Sequence, residues 1–159
     1  MILNIFGVRV EVSVPFTVIL AFLLINDQTG LMSASLFAVL FHELGHLFAM
    51  LFYRCQPQSI KLSSAGILIC GSAFCTAKEN IIISLFGPFV NLLLTFVFWV
   101  LANVLGSTLF LYFAAVQFLV GFINILPIKG LDGGSVLYCI LSRFKNVNAD
   151  LVCNVTSLI

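Results

Sequence analysis

Two imidazoles and a carboxylate, His42, Glu43 and His46, stand within an otherwise apolar run. From Leu31 to Phe52 the only other polar side chains are two serines. An acid at the centre of a membrane helix costs roughly 2.5–3.5 kcal/mol on insertion scales, so a chain that places three ionisable groups there has a use for them. The spacing supplies one. Helical positions i and i+4 share a face, so His42 and His46 can bind one metal ion. Glu43, beside the first histidine, can then reach a water that the ion polarises. His-Glu-x-x-His is the pattern of zinc-assisted peptide hydrolysis, here set inside a hydrophobic span.

A catalytic zinc takes three protein ligands and keeps one position open. The chain has only two histidines, both already used, so the third donor must be a carboxylate or a thiolate. Asp27 falls at the far end of the motif's span, and Glu11, Glu79 and Asp150 sit in polar, surface-like stretches. Asp132 differs. It follows an apolar helix closed by Asn124-Ile125-Leu126-Pro127 and precedes Gly133-Gly134. Proline stops the helix and the glycines let the backbone fold in tightly, which can hold a carboxylate at the depth of the histidines. The five cysteines are odd in number and irregularly spaced, and read as free apolar side chains. Cys70 and Cys75 lack a second pair to complete a metal site. The blander reading of the His-Glu cluster is a polar contact that pairs helices.

The elements that must carry these residues are membrane elements. Of 159 residues, 62% are hydrophobic and 8% charged, where a soluble domain is nearer a quarter charged. The chain therefore reads as an all-α membrane protein, a polytopic bundle of about four transmembrane helices. The spans are Pro15–Ile25 with extension from Val12, Leu31–Tyr53, Asn80–Leu105 and Leu109–Leu126. Alternation in Leu3–Ser13 predicts a short N-terminal strand at the membrane surface. Ser59–Cys70, rich in β-branched and small residues, reads as a strand or hairpin after the second helix. Gly133–Phe144 reads as a short amphipathic helix. Residues 1–144 form the expected core, and 145–159 an apolar tail resembling the start of a further span. The N-terminus reads as lacking a cleavable leader.

Charge sets the expected orientation. All seven basic residues (Arg9, Arg54, Lys61, Lys78, Lys129, Arg143, Lys145) fall on one side of these spans, and Asp27 lies alone on the other. That side should be cytoplasmic, with the His-Glu motif nearer to it. A net charge of +1 argues against a nucleic-acid surface.

Three motifs in order carry a family resemblance: His42-Glu43-Leu44-Gly45-His46, Gly87-Pro88-Phe89-Val90-Asn91, and Asn124-Ile125-Leu126-Pro127 followed by Leu131-Asp132-Gly133-Gly134. The chain resembles the site-2 protease family of intramembrane zinc metalloproteases. It is most similar to the compact branch that includes a sporulation protease acting on a membrane-tethered sigma-factor precursor. The resemblance implies His42, His46 and Asp132 as ligands of one Zn2+ and Glu43 as the base. It implies Asn124 as a catalytic amide steadying substrate or oxyanion, and Asn91 as a secondary polar group facing the same cavity. Gly87 and Pro88 read as packing and kink residues. The expected function is cleavage of a membrane-embedded or membrane-tethered protein by zinc-activated water, with a membrane inhibitor protein as a further partner.

Two other readings compete. A catalytically silent membrane scaffold would tend to have lost Glu43 or Asp132. A metal transporter subunit would spread polar residues through several spans, whereas here they gather at one depth. The orientation is checked by labelling Cys75 from each side of the membrane: reaction from the cytoplasmic face is expected, and reaction from the exterior alone would overturn the topology.

Overall fold

The structure is a computed structural model that describes residues 2–5, 8–12, 18, 21–22, 24–55, 59–63, 66–70 and 75–143. Two short strands come first, β1 (Ile2–Ile5) and β2 (Val8–Val12). Helix α1 (Leu31–Phe52) follows, then β3 (Ser59–Ser63) and β4 (Gly66–Cys70). The chain closes with α2 (Ala77–Leu105), α3 (Thr108–Ile125) and α4 (Asp132–Leu141). Three of these helices, α1, α2 and α3, are long and apolar enough to cross a membrane. At 1.5 Å per residue, the 22 residues of α1 reach about 33 Å, enough for the hydrocarbon core. Most of the expected first span lies outside the described residues; 18, 21, 22, 24 and 25 within it are helical. The expected tail, 145–159, lies outside them too. The protein is a multi-pass bundle of membrane helices.

Large apolar side chains point outward all along the helices: Leu40, Leu44 and Phe48 on α1, Phe96 and Trp99 on α2, Phe118 and Phe122 on α3. The buried apolar positions are mostly small, with Ala34, Ala38 and Ala49 on α1, Ala102 on α2 and Ala114 on α3. In water this distribution would be inverted. In lipid the outward face needs no shielding, and small residues let backbones approach closely. Helix α2 is the hub and contacts each of the other three helices. It lies close against α1 at Gly45, where a Cβ would lie 2.9 Å from Phe86 O and 3.0 Å from Val90 Cγ2.

The helix starts are fixed locally. Gly30 (φ 75°) turns the chain into α1, and Asp27 Oδ2 accepts from both Ser33 N and Ser33 Oγ at 2.8 Å. The Ser33 backbone N–H holds the Asp27 carboxyl below its ordinary range. Thr76 and Glu79 form a reciprocal capping box at the start of α2. Asp27 and Glu79 are therefore spent on helix ends.

The strands form one sheet in the order β1-β2-β3-β4. β1 and β2 pair antiparallel, as do β3 and β4, and β2 joins β3 in parallel, with Val10 opposite Ile60. The single N-terminal strand expected over Leu3–Ser13 is thus two strands separated by residues 6 and 7. Alternation shows that a segment is extended but not where it folds back; Gly7 was the available signal. The reading of all cysteines as free is also corrected. Cys55 and Cys75 are disulfide-bonded, with Cα atoms 5.8 Å apart, and Cys139 is free. The bond ties the end of α1 to the segment entering α2, and spacing could not reveal it because the pairing depends on how those helices pack. Labelling at Cys75 therefore requires reduction first.

The tight crossing at Gly45 makes a testable demand. Gly45→Val should force α1 from α2 and cost about 1–3 kcal/mol, as overpacking does. Thermal unfolding in detergent measures this. An unchanged melting temperature would mean the helices do not meet there.

Candidate active site

His42 and His46 project from the same face of α1 into the bundle and are buried, 5% and 8% exposed. Each is oriented through its Nδ1. His46 Nδ1 lies 2.8 Å from the backbone oxygen of Ile83 on α2. A carbonyl can only accept, so this nitrogen carries the hydrogen and Nε2 keeps a bare lone pair. Pro88 lies further along α2; having no N–H, it leaves Ser84 O without its intrahelical donor. His42 Nδ1 lies 2.8 Å from Asn91 Oδ1. The two Nε2 atoms converge to 3.1 Å.

Asp132 reaches the same point from α4. Leu126 closes α3 in an extended conformation ahead of Pro127, as residues before proline do. A turn follows, in which Ile128 N donates to Leu126 O, Leu131 N donates to Ile128 O, and Gly130 takes φ 97°. Gly133 and Gly134 then pack directly on the carbonyls of Ile125 and Ile128, in space that any Cβ would occupy. This fold-back sets Asp132 at the first turn of α4, where the helix dipole favours a carboxylate. Its Oδ2 lies 2.9 Å from His42 Nε2 and 3.3 Å from His46 Nε2.

Three lone-pair atoms therefore crowd together. Asp132 Oδ2 is buried and has no hydrogen-bond donor. With both histidines protonated at Nδ1, nothing in the cluster separates the three acceptors. Such a set is stable only around a positive charge. Zinc bonds of about 2.0–2.1 Å at tetrahedral angles require donors about 3.3 Å apart. The observed separations of 2.9, 3.1 and 3.3 Å lie at or a little below that spacing, so an ion would enter with a small outward adjustment of the three side chains. Among the described residues His42, His46 and Asp132 are the group of acids, cysteines and histidines close enough to hold a metal ion.

No protein-family model matches the chain. It is 30% identical over 134 residues to stage IV sporulation protein FB of Bacillus subtilis (strain 168), covering 81% of this chain and 46% of that protein. The chain thus spans about half the length of the curated relative it matches. Its fold is similar to that of the site-2 protease from Methanocaldococcus jannaschii, with a TM-score of 0.73 and 21% identity over 98% of this chain and 78% of that one. By sequence the chain is thus similar to a sporulation protein, and by fold to a site-2 protease.

The structure places the remaining expected residues as follows. Glu43 is half-buried on α1, next in the chain to His42. Asn91 is fully buried and touches His42 directly. Asn124 is half-buried near the end of α3, and its Nδ2 donates to Val120 O at 2.9 Å, along its own helix. Gly87, expected only to pack, lies against both imidazoles: a Cβ there would collide with His46 Nε2 and Cε1 and lie 3.0 Å from His42 Cε1. Gln117 was not singled out by the motifs. It is fully buried on α3 and accepts from Asn91 Nδ2 at 2.7 Å. Its signal was available, a lone amide in the middle of an apolar span.

A cavity of about 430 Å³ adjoins the cluster, lined by Met50, Ile83, Ser84, Gly134, Ser135 and Tyr138 among others. Ile83 also anchors His46, and Gly134 lies two residues beyond Asp132. The cavity has both polar and apolar walls.

The position of Gly87 gives a prediction. Gly87→Ala should displace an imidazole and reduce bound metal at least about tenfold, a loss of the size seen when the supports of metal ligands are removed. Metal analysis of the purified protein checks it. Full metal content would show that the imidazoles do not rest on Gly87.

Proposed function

We propose that the chain is an intramembrane zinc endopeptidase acting on a membrane-embedded or membrane-tethered protein. The observation that carries this reading is the convergence of His42 Nε2, His46 Nε2 and Asp132 Oδ2, three buried acceptors without a donor among them. These residues would hold one Zn2+. The ion, when bound, would supply Lewis acidity, making water a stronger acid and polarising the scissile carbonyl.

The rest of the chemistry falls to the chain. Glu43 accepts the proton of the attacking water and returns it to the leaving amine. Asn124 is assigned to the substrate or oxyanion rather than to the ion; its place near the end of α3, just before the turn to Asp132, supports that role. The substrate must present an extended backbone, because a helix hides its carbonyls in internal hydrogen bonds. β4 lies at an edge of the sheet order and offers backbone to pair with it. The adjoining cavity gives the unwound segment room.

The basic side of the bundle carries Arg54, Lys78, Lys129 and Arg143, which supports a cytoplasmic site. Likeness to a sporulation protein supports sporulation as the setting, and the motif resemblance supports a membrane-tethered precursor as the substrate.

Glu43→Gln separates chemistry from structure. It preserves size and hydrogen bonding but cannot take up the proton. Metal content and membrane insertion should match wild type, while cleavage of a membrane-tethered test substrate should fall by about 10²–10⁴-fold. Wild-type cleavage by this variant would refute the mechanism, and loss of metal would recast Glu43 as a structural partner of the histidines.

A further inference from the structure

Among the described residues the buried polar side chains are His42, His46, Asn91 and Gln117. The two histidines face the ion site. The two amides form a chain behind His42: Asn91 Oδ1 is 2.8 Å from His42 Nδ1, and Asn91 Nδ2 donates to Gln117 Oε1 at 2.7 Å and to Ala38 O at 3.0 Å. Pairing of helices alone would not require an amide chain to end on an imidazole nitrogen.

The chain has a direction. His46 is held by a backbone carbonyl, which fixes its tautomer unconditionally. His42 is held by an amide, and an amide can turn over. With its oxygen toward His42, Asn91 accepts from Nδ1–H and leaves the Nε2 lone pair for an ion. With its nitrogen toward His42, Asn91 donates instead, and the hydrogen must move to Nε2, which disables the ligand. Two acceptors hold Asn91 in the productive orientation: Ala38 O, a carbonyl that α1 also uses for its own backbone, and Gln117 Oε1. Only the second is a side chain, and its bond is the shorter. We propose that Gln117 is a positioning residue of the metal centre, which locks the Asn91 amide so that His42 presents its Nε2 lone pair to the ion.

This inference rests on the metal-binding reading above, and it explains an otherwise costly feature. Gln117 is fully buried, and its Nε2 lacks a hydrogen-bond partner. An unpaired amide donor in an apolar bundle is destabilising. Interhelical hydrogen bonds in membranes return less than that cost on average. As glue, Gln117 is a net cost. As the lock on a ligand's tautomer, its Oε1 does something no apolar side chain could.

The test uses the full chain in detergent. Gln117→Met keeps the length and removes the acceptor, whereas Gln117→Glu keeps an acceptor oxygen at the same reach. The chain has only two histidines, so the 15N shifts of both rings are readily assigned. In metal-free wild type both should report hydrogen on Nδ1. In Gln117→Met the His42 signals should shift toward a mixture of tautomers while those of His46 stay fixed, and zinc affinity by chelator competition should fall about tenfold. Gln117→Glu should restore both. A Gln117→Met protein with unchanged His42 shifts and wild-type zinc affinity would overturn the proposal and leave the metal site standing. Wild type that shows the expected tautomers yet binds no zinc would overturn the peptidase reading, and with it the role of the lock. If Gln117→Met does not fold, a failure of Gln117→Glu to bind zinc like wild type overturns the proposal by itself.

Discussion

Three lone pairs within 3.3 Å of one another, inside a bundle that excludes water, are the condition around which this molecule is arranged. In lipid every polar group must find its partner within the protein. A metal site needs the reverse, donor atoms with nothing attached. The two demands are reconciled by directing each histidine's other nitrogen to a fixed acceptor, Ile83 O for His46 and Asn91 Oδ1 for His42, so that each ring is satisfied on one side and bare on the other. Asp132 completes the triangle as a buried oxygen without a donor.

Helix α2 does most of the positioning. It supplies the carbonyl behind His46, the amide behind His42 and, at Gly87, the missing side chain that gives both rings their space. It can lie this close to α1 because Gly45 presents no Cβ at the crossing. The turn between α3 and α4 makes the complementary contribution. Pro127 ends one helix, and Gly133-Gly134 let the next begin against the carbonyls of the first, so a carboxylate far along the chain arrives among residues of α1. The cluster is thus built from helix packing, with its side chains on rigid elements rather than on loops.

The sheet is a second, separate arrangement. Its two hairpins come from segments on either side of α1 and join through the parallel β2–β3 pair. The β3–β4 hairpin lies within the segment closed by the Cys55–Cys75 bond, so it is tethered at both ends to the helices that carry the site. An edge strand held in this way is suited to receive an extended chain.

The sequence by itself determined the parts whose information is local. Apolar run lengths gave the membrane helices, and the His-x-x-x-His spacing put two imidazoles on one face because a helix repeats every 3.6 residues. Pro127 and Gly133-Gly134 marked Asp132 because backbone stereochemistry is a property of those residue types. Asp27 and Glu79 were set aside by their surroundings, and the structure shows what each does instead, ending a helix. What the tertiary structure decided depends on which elements meet. Gly87 looked like a packing residue until the imidazoles were seen against it. Cys55 and Cys75 looked unpaired until the helix ends came together. The N-terminal strand became two because strand pairing is a long-range choice. Gln117 carried no motif at all: its role exists only because α3 places it behind Asn91, which α2 places behind His42. A hydrogen-bond relay across three helices has no linear spacing, and only the packed bundle defines it.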